Sequence, residues 1–145
     1  MMLKLTDYDK KIYEKELKNF LPKEFIDCHT HVWEKDFPYQ GSSNGGSTWT
    51  KKVCEYLTCE ELIESYRMMF PENKVTPFVF GSCSRHIPTC NDYVKNKSIQ
   101  YGFPTLFRTS YDMTPDYLEE EVKKGGFLGL KPYLSNCPSY IPSSE

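Results

Sequence analysis

The stretch Phe25-Ile26-Asp27-Cys28-His29-Thr30-His31-Val32-Trp33 constrains this chain more than any other. Two apolar residues lead into an Asp and then into two histidines one residue apart, the pattern of a short buried strand that ends in polar chemistry. In an extended chain successive side chains point to opposite faces, so His29 and His31 share a face, roughly 6 to 7 Å apart along the strand. Neutral imidazole is the commonest protein ligand for divalent transition metals, and a catalytic zinc takes about three protein ligands with a further position left open. His29 and His31 are therefore candidate metal ligands, set against the plainer reading of two surface or hydrogen-bonded histidines. The same alternation puts Asp27 on their face, where it could orient an imidazole from behind, as metal-bound histidines require.

Around this strand the chain alternates helix and strand. Residues 1–23 form an amphipathic lead-in helix, with Tyr8, Ile12, Tyr13, Leu17, Phe20 and Leu21 on one face, Thr6 or Asp7 as its cap and Pro22 as its stop. Strand 1 runs from Glu24 to His29. Val32 to Leu57 has no sustained period; its Gly/Ser-rich centre and its aromatics Trp33, Phe37, Tyr39 and Trp49 favour a functional lid over a disordered insert. Thr58 and Glu61 form a capping box for a helix that reaches about Phe70, before Pro71. Val75 to Phe80 is strand 2, apolar on both faces as a covered parallel strand should be, although Pro77 lacks a donor for the ladder. A short helix over Asn91 to Ile99 precedes strand 3, about Gly102 to Phe107. Thr114-Pro115-Asp116 opens a further helix and Gly125-Gly126 ends it. Strand 4 covers Phe127 to Tyr133, and 135–145 reads as an unfinished connection.

This order argues for an α/β fold of parallel strands joined by right-handed helical crossovers. His29, His31, Arg85, His86, Arg108 and Lys131 all fall at or after C-terminal ends of strands, the face on which parallel barrels build active sites. A (β/α)8 barrel takes about 250 residues. Four strands over 24–134 make an incomplete one of the TIM type.

Net charge is −2 with a pI near 6.0, and the Lys and Arg residues are scattered among Asp and Glu. That provides no basic stripe for nucleic acid and no polybasic membrane anchor. The N-terminus turns polar at once and no apolar run has signal or membrane-spanning length, so a cytoplasmic chain is expected. Six cysteines in that setting read as reduced thiols.

Phe25 to Val32 matches, in type and order, the apolar-Asp-x-His-x-His signature at the end of the first barrel strand of the amidohydrolase superfamily. The chain resembles that superfamily, and within it the amidohydrolase-related branch, over roughly residues 20 to 134, the first half of the family's barrel. The resemblance implies metal-assisted hydrolysis of a small-molecule substrate. His29 and His31 would hold a divalent ion, zinc, whose bound water is acidified toward neutrality and attacks a carbonyl carbon. The family's later ligand histidines and its catalytic Asp have no counterpart here, so the chain alone is expected to be inactive. Lys131, in Gly129-Leu130-Lys131, stands where several branches carry a carboxylated lysine that bridges two metals. The preferred reading is a lysine that binds a substrate carboxylate or pairs with an acid. Arg108 is a candidate for gripping an anionic substrate or for pairing with Asp112. His86 reads as a loop or hydrogen-bonded histidine.

Three other readings stay open. The same branch contains decarboxylases, which would use the same metal pair on a small unsaturated or aromatic carboxylic acid. A non-catalytic half-barrel could pair with a complementary chain or with itself, because an open parallel sheet leaves two edges exposed. Cys54, Cys59, Cys83, His86 and Cys90 could instead build a structural zinc module.

Overall fold

The computed structural model describes residues 4–40 and 54–133. The centre of the expected lid, with Trp49, lies outside the described residues, as do Cys137 and the expected connection over 135–145. The elements are α1 (Asp7–Ile12), β1 (Glu24–Val32), α2 (Cys59–Met69), β2 (Lys74–Gly81), α3 (Ile87–Tyr101), β3 (Phe107–Arg108), α4 (Pro115–Gly125) and β4 (Leu130–Lys131).

Local chemistry fixes most boundaries. Thr58 Oγ1 accepts the Glu61 N–H at 3.2 Å and the Glu61 carboxylate accepts the Thr58 N–H at 3.2 Å, so α2 starts where the capping box places it. Thr114 caps α4, and Gly126, at φ 67°, ends it in the left-handed conformation that glycine adopts without strain. α3 begins earlier than the expected Asn91, because Pro88 sits in the first turn, where a missing N–H costs no helical bond. It also runs later, to Gly102 at φ 70°. Gly102 is therefore a helix cap and not the start of strand 3. The lead-in is not one continuous helix: α1 ends at Ile12 and a π-helical turn follows over Tyr13–Leu17, with the Lys18 N–H donating to the Tyr13 carbonyl at 2.8 Å. Tyr13 is its only buried side chain, anchored by a hydroxyl bond of 2.9 Å to Asn73.

β1 pairs parallel with β2, β3 pairs parallel with β4, and a parallel bridge between Val79 and Thr105 joins the two pairs. The order is β1-β2-β3-β4, and the described strands form no closed barrel. β3 and β4 are shorter than expected; Pro104 accepts from the Val79 N–H at 3.0 Å but has no N–H to donate back to β2. Val32, Leu62, Tyr66, Val79, Cys90, Val94, Phe107 and Phe127 belong to one buried cluster on the helix side of the strands. No helix among the described residues is long and apolar enough to cross a membrane.

β1 runs three residues past the expected His29, and it is not regular. Asp27 aligns with Pro77 and Thr30 with Val79, so Cys28 and His29 together stand opposite Phe78 alone. That is a β-bulge, and it breaks the simple alternation of faces. The Tyr66 hydroxyl on α2 donates to Asp27 Oδ2 at 2.7 Å and so accepts from Thr30 Oγ1 at 3.2 Å. Asp27 and Thr30 thus lie together under α2. His29 and His31 take the other face, over Phe80. The expectation that Asp27 shares the histidines' face is overturned by this extra residue. Asp27 Oδ1 instead accepts the His29 N–H at 3.1 Å and closes the bulge.

Pro77 also finds its reason here. The Lys74 N–H donates across to Lys23, while the Val79 N–H points the other way, to Pro104. By alternation the missing donor of Pro77 falls on the side of β3, before β3 begins to pair. The β1-β2 ladder loses nothing.

Gly81 ends β2 against α3: a Cβ there would stand 2.3 Å from Cys90 Cβ. Gly81→Ala is expected to destabilise the chain by about 1 to 3 kcal/mol in urea unfolding. Gly129→Ala, which meets only Leu106 Cδ2 at 3.4 Å, should shift the midpoint far less.

Candidate functional site

The C-terminal ends of the parallel strands bring His31, Arg108 and Lys131 to one edge, with His31 in register with Phe80 and Arg108 in register with Lys131. The His29 and His31 rings are 5.3 Å apart between centroids, and both stand edge-on to Phe80, at 5.2 and 4.6 Å. Phe80 is the apolar floor of the site. Its neighbour in sequence, Val79, points into the core instead, as strand alternation demands.

The hydrogen bonds of His31 assign its tautomer. Nδ1 lies 2.9 Å from the Gly81 carbonyl oxygen, which can only accept, so Nδ1 carries the hydrogen. Nε2 then holds the lone pair, and the Tyr133 hydroxyl, 3.1 Å away, donates to it. Burial pushes the His31 pKa below its ordinary value; the Gly81 bond opposes this, and His29, Lys131 and Arg108 add to it as positive neighbours. Burial likewise pushes the Tyr133 phenol up to about 12, so it keeps the proton it donates.

Lys131 places its ammonium 4.9 Å from the Phe80 ring centroid and 5.6 Å from that of Tyr133. Among the described residues it forms no ion pair, so the acid partner considered for it is not found there. Arg108 does not pair with Asp112, which accepts from the Ser110 hydroxyl. Its side chain is fully buried and turned into the β2–α3 loop. There NH1 donates to the Ser82 carbonyl and, at 2.9 Å, to that of Arg85, and NH2 donates to Cys83 at 3.3 Å. Nε has no partner among the described residues. Asn91 clamps the Arg108 backbone from α3, accepting its N–H at 2.9 Å and donating to its carbonyl at 3.0 Å. Burial lowers the guanidinium pKa, and the carbonyl cage is what keeps the charge tolerable.

The sequence reading missed Tyr133, the Gly81 carbonyl and the role of Arg85. Arg85 NH1 donates to the Phe37 carbonyl at 2.7 Å and NH2 to that of Glu55 at 3.4 Å, with the guanidinium 3.9 Å from the Tyr39 ring centroid. Trp33 and Leu57 pair as an antiparallel bridge, and Phe37 packs on Tyr93 at 5.3 Å. Both described ends of the expected lid are therefore tied to the body of the fold. The one available signal was position: Arg85 follows β2 directly.

His86 stays apart from the histidine pair, with Nδ1 3.0 Å from Thr89 Oγ1. Cys59 and Cys90 are buried singly, Cys83 is exposed and Cys54 is half-buried. Among the described residues no three His, Cys, Asp or Glu side chains gather as a metal site. What the site offers a divalent ion is two adjacent imidazoles, one of them fixed with Nδ1 protonated and the Nε2 lone pair accepting from Tyr133. That donor chemistry suits zinc. No protein-family model, curated protein or solved structure matches the chain, so the likeness to amidohydrolases rests on the residues alone.

The sign of the His31 shift predicts a pH dependence. Folding holds His31 neutral below its ordinary pKa of 6.5, so the unfolded chain binds the extra proton. Its contribution to stability is full above pH 6.5 and is lost as the pH falls through the lowered folded value. Urea unfolding of the metal-free chain should give a stability that declines below pH 6.5, and His31→Asn should decline less steeply. Equal slopes in the two proteins would contradict the assignment.

Proposed function

We propose that His29 and His31 are one half of a divalent metal centre, zinc by the chemistry of its imidazole donors, in a hydrolase of the amidohydrolase-related type. On this reading the four parallel strands belong to a TIM-type barrel, and the third protein ligand comes from outside the described residues. The observation that carries the proposal is the Nδ1–H bond of His31 to the Gly81 carbonyl at 2.9 Å. Metal-bound histidines characteristically donate their second nitrogen to a carbonyl or carboxylate, which fixes the ring and aims the other lone pair at the ion. A bound ion would supply Lewis acidity at the reacting carbonyl.

The rest follows from this chain's own side chains. Asp27 acts on the backbone of the ligand strand, closing the bulge that turns the histidines to the Phe80 face. Arg108 holds the β2–α3 loop beneath the site. Lys131, with no ion pair among the described residues, binds an anionic group of the substrate, and Phe80 supports its apolar part. A small carboxylic acid satisfies both, so decarboxylation of such an acid remains the companion reading; the Lys131 ammonium beside the Phe80 ring favours a carboxylate substrate in either case.

Elemental analysis of the zinc-equilibrated, gel-filtered chain tests the metal reading. Zinc should be retained by the wild type and lost by the His29→Ala, His31→Ala double variant. Trace zinc in both would contradict it, and so would zinc that is lost only when Cys83 and Cys90 are replaced.

A further inference from the structure

We propose that Tyr133 gates the metal position: its hydroxyl occupies the only lone pair of His31, and an ion reaches Nε2 only when that hydroxyl leaves. The inference rests on the metal reading above. Because Nδ1 is engaged by Gly81, Nε2 is the sole acceptor left on the ring, and the Tyr133 hydroxyl stands 3.1 Å from it. A hydrogen bond to that lone pair and a coordinate bond from it both lie along the same direction in the ring plane. The two partners therefore exclude one another.

The ring of Tyr133 is held over this position by its neighbours. The Arg108 guanidinium and the Lys131 ammonium each lie 5.6 Å from its centroid, close enough for cation–π attraction, and the His31 ring is 6.1 Å away. Pro132 restricts the backbone immediately before it. Among the described residues Nε2 is the hydroxyl's only hydrogen-bond partner. Departure of Tyr133 would free the lone pair of His31 and withdraw the ring from beside the Lys131 ammonium in one movement.

The test is a calorimetric zinc titration of the wild type and of Tyr133→Phe, which keeps the ring and its contacts and deletes only the competing donor. Zinc should bind Tyr133→Phe about five- to tenfold more tightly, the factor set by a hydrogen bond of ordinary strength. Adding His31→Ala to each should abolish the difference. Equal or weaker binding by Tyr133→Phe overturns the gate while leaving the metal reading intact. No binding by either protein overturns the metal reading and the gate with it. The unmodified chain supplies an independent readout: on zinc addition the Tyr133 ring resonances should shift in step with those of His31. A Tyr133 signal that stays in place while His31 shifts would also overturn the gate.

Discussion

The bulge at Cys28 and His29 is the constraint on which the rest of the site depends. A regular β1 would have carried Asp27, His29 and His31 on one face and buried a carboxylate among the rings. One extra residue opposite Phe78 divides them, and the division is held by a short chain of hydrogen bonds from Thr30 through Tyr66 to Asp27 and on to the His29 backbone. Each such bond contributes about 1 kcal/mol net, but a buried donor or acceptor left without its partner costs more than that. Asp27, Thr30 and Tyr66 therefore act as a unit. They set the direction of the histidines without touching either imidazole.

The electrostatics of the site follow from what surrounds that strand end. Arg85 and Arg108 are both buried, and among the described residues both are solvated by backbone carbonyls of loops rather than paired with carboxylates. Carbonyl dipoles make a buried guanidinium tolerable but leave its charge in place. Arg108 and Lys131, with His29, give the edge a positive field felt by His31, whose charged form is disfavoured first by burial and then by this field. A neutral imidazole is the form a metal ion needs, and a positive edge is the form an anionic substrate needs. The same groups also hold loops: Arg85 ties both described flanks of the long insertion to β2, and Arg108 draws the β2–α3 loop over β3.

Much of this was legible in the residues. Thr58-x-x-Glu61 and Thr114-Pro115 announced helix starts by chemistry that is entirely local, and both hold. The parallel alternation of strand and helix, and the collection of Arg108 and Lys131 at the same strand ends as His31, followed from order alone. What failed depended on partners distant in sequence. A bulge exists only relative to the opposite strand, so nothing in Ile26-Asp27-Cys28-His29 could announce it. The start of β3 turned on how Pro104, without an N–H, meets β2. Arg108 met loop carbonyls that no spacing rule brings near it, and Tyr133 reached His31 across the whole described sheet.

The most direct test is the protonation pattern of the His31 ring, read from its two imidazole nitrogen shifts by long-range proton–nitrogen correlation of the metal-free chain at neutral pH. The account predicts a neutral ring with the hydrogen on Nδ1 and a hydrogen-bonded, unprotonated Nε2, as the Gly81 carbonyl and the Tyr133 hydroxyl require. A hydrogen on Nε2, or a charged ring, would mean that β1 does not present His31 as described, and the reading of the site would fall with it.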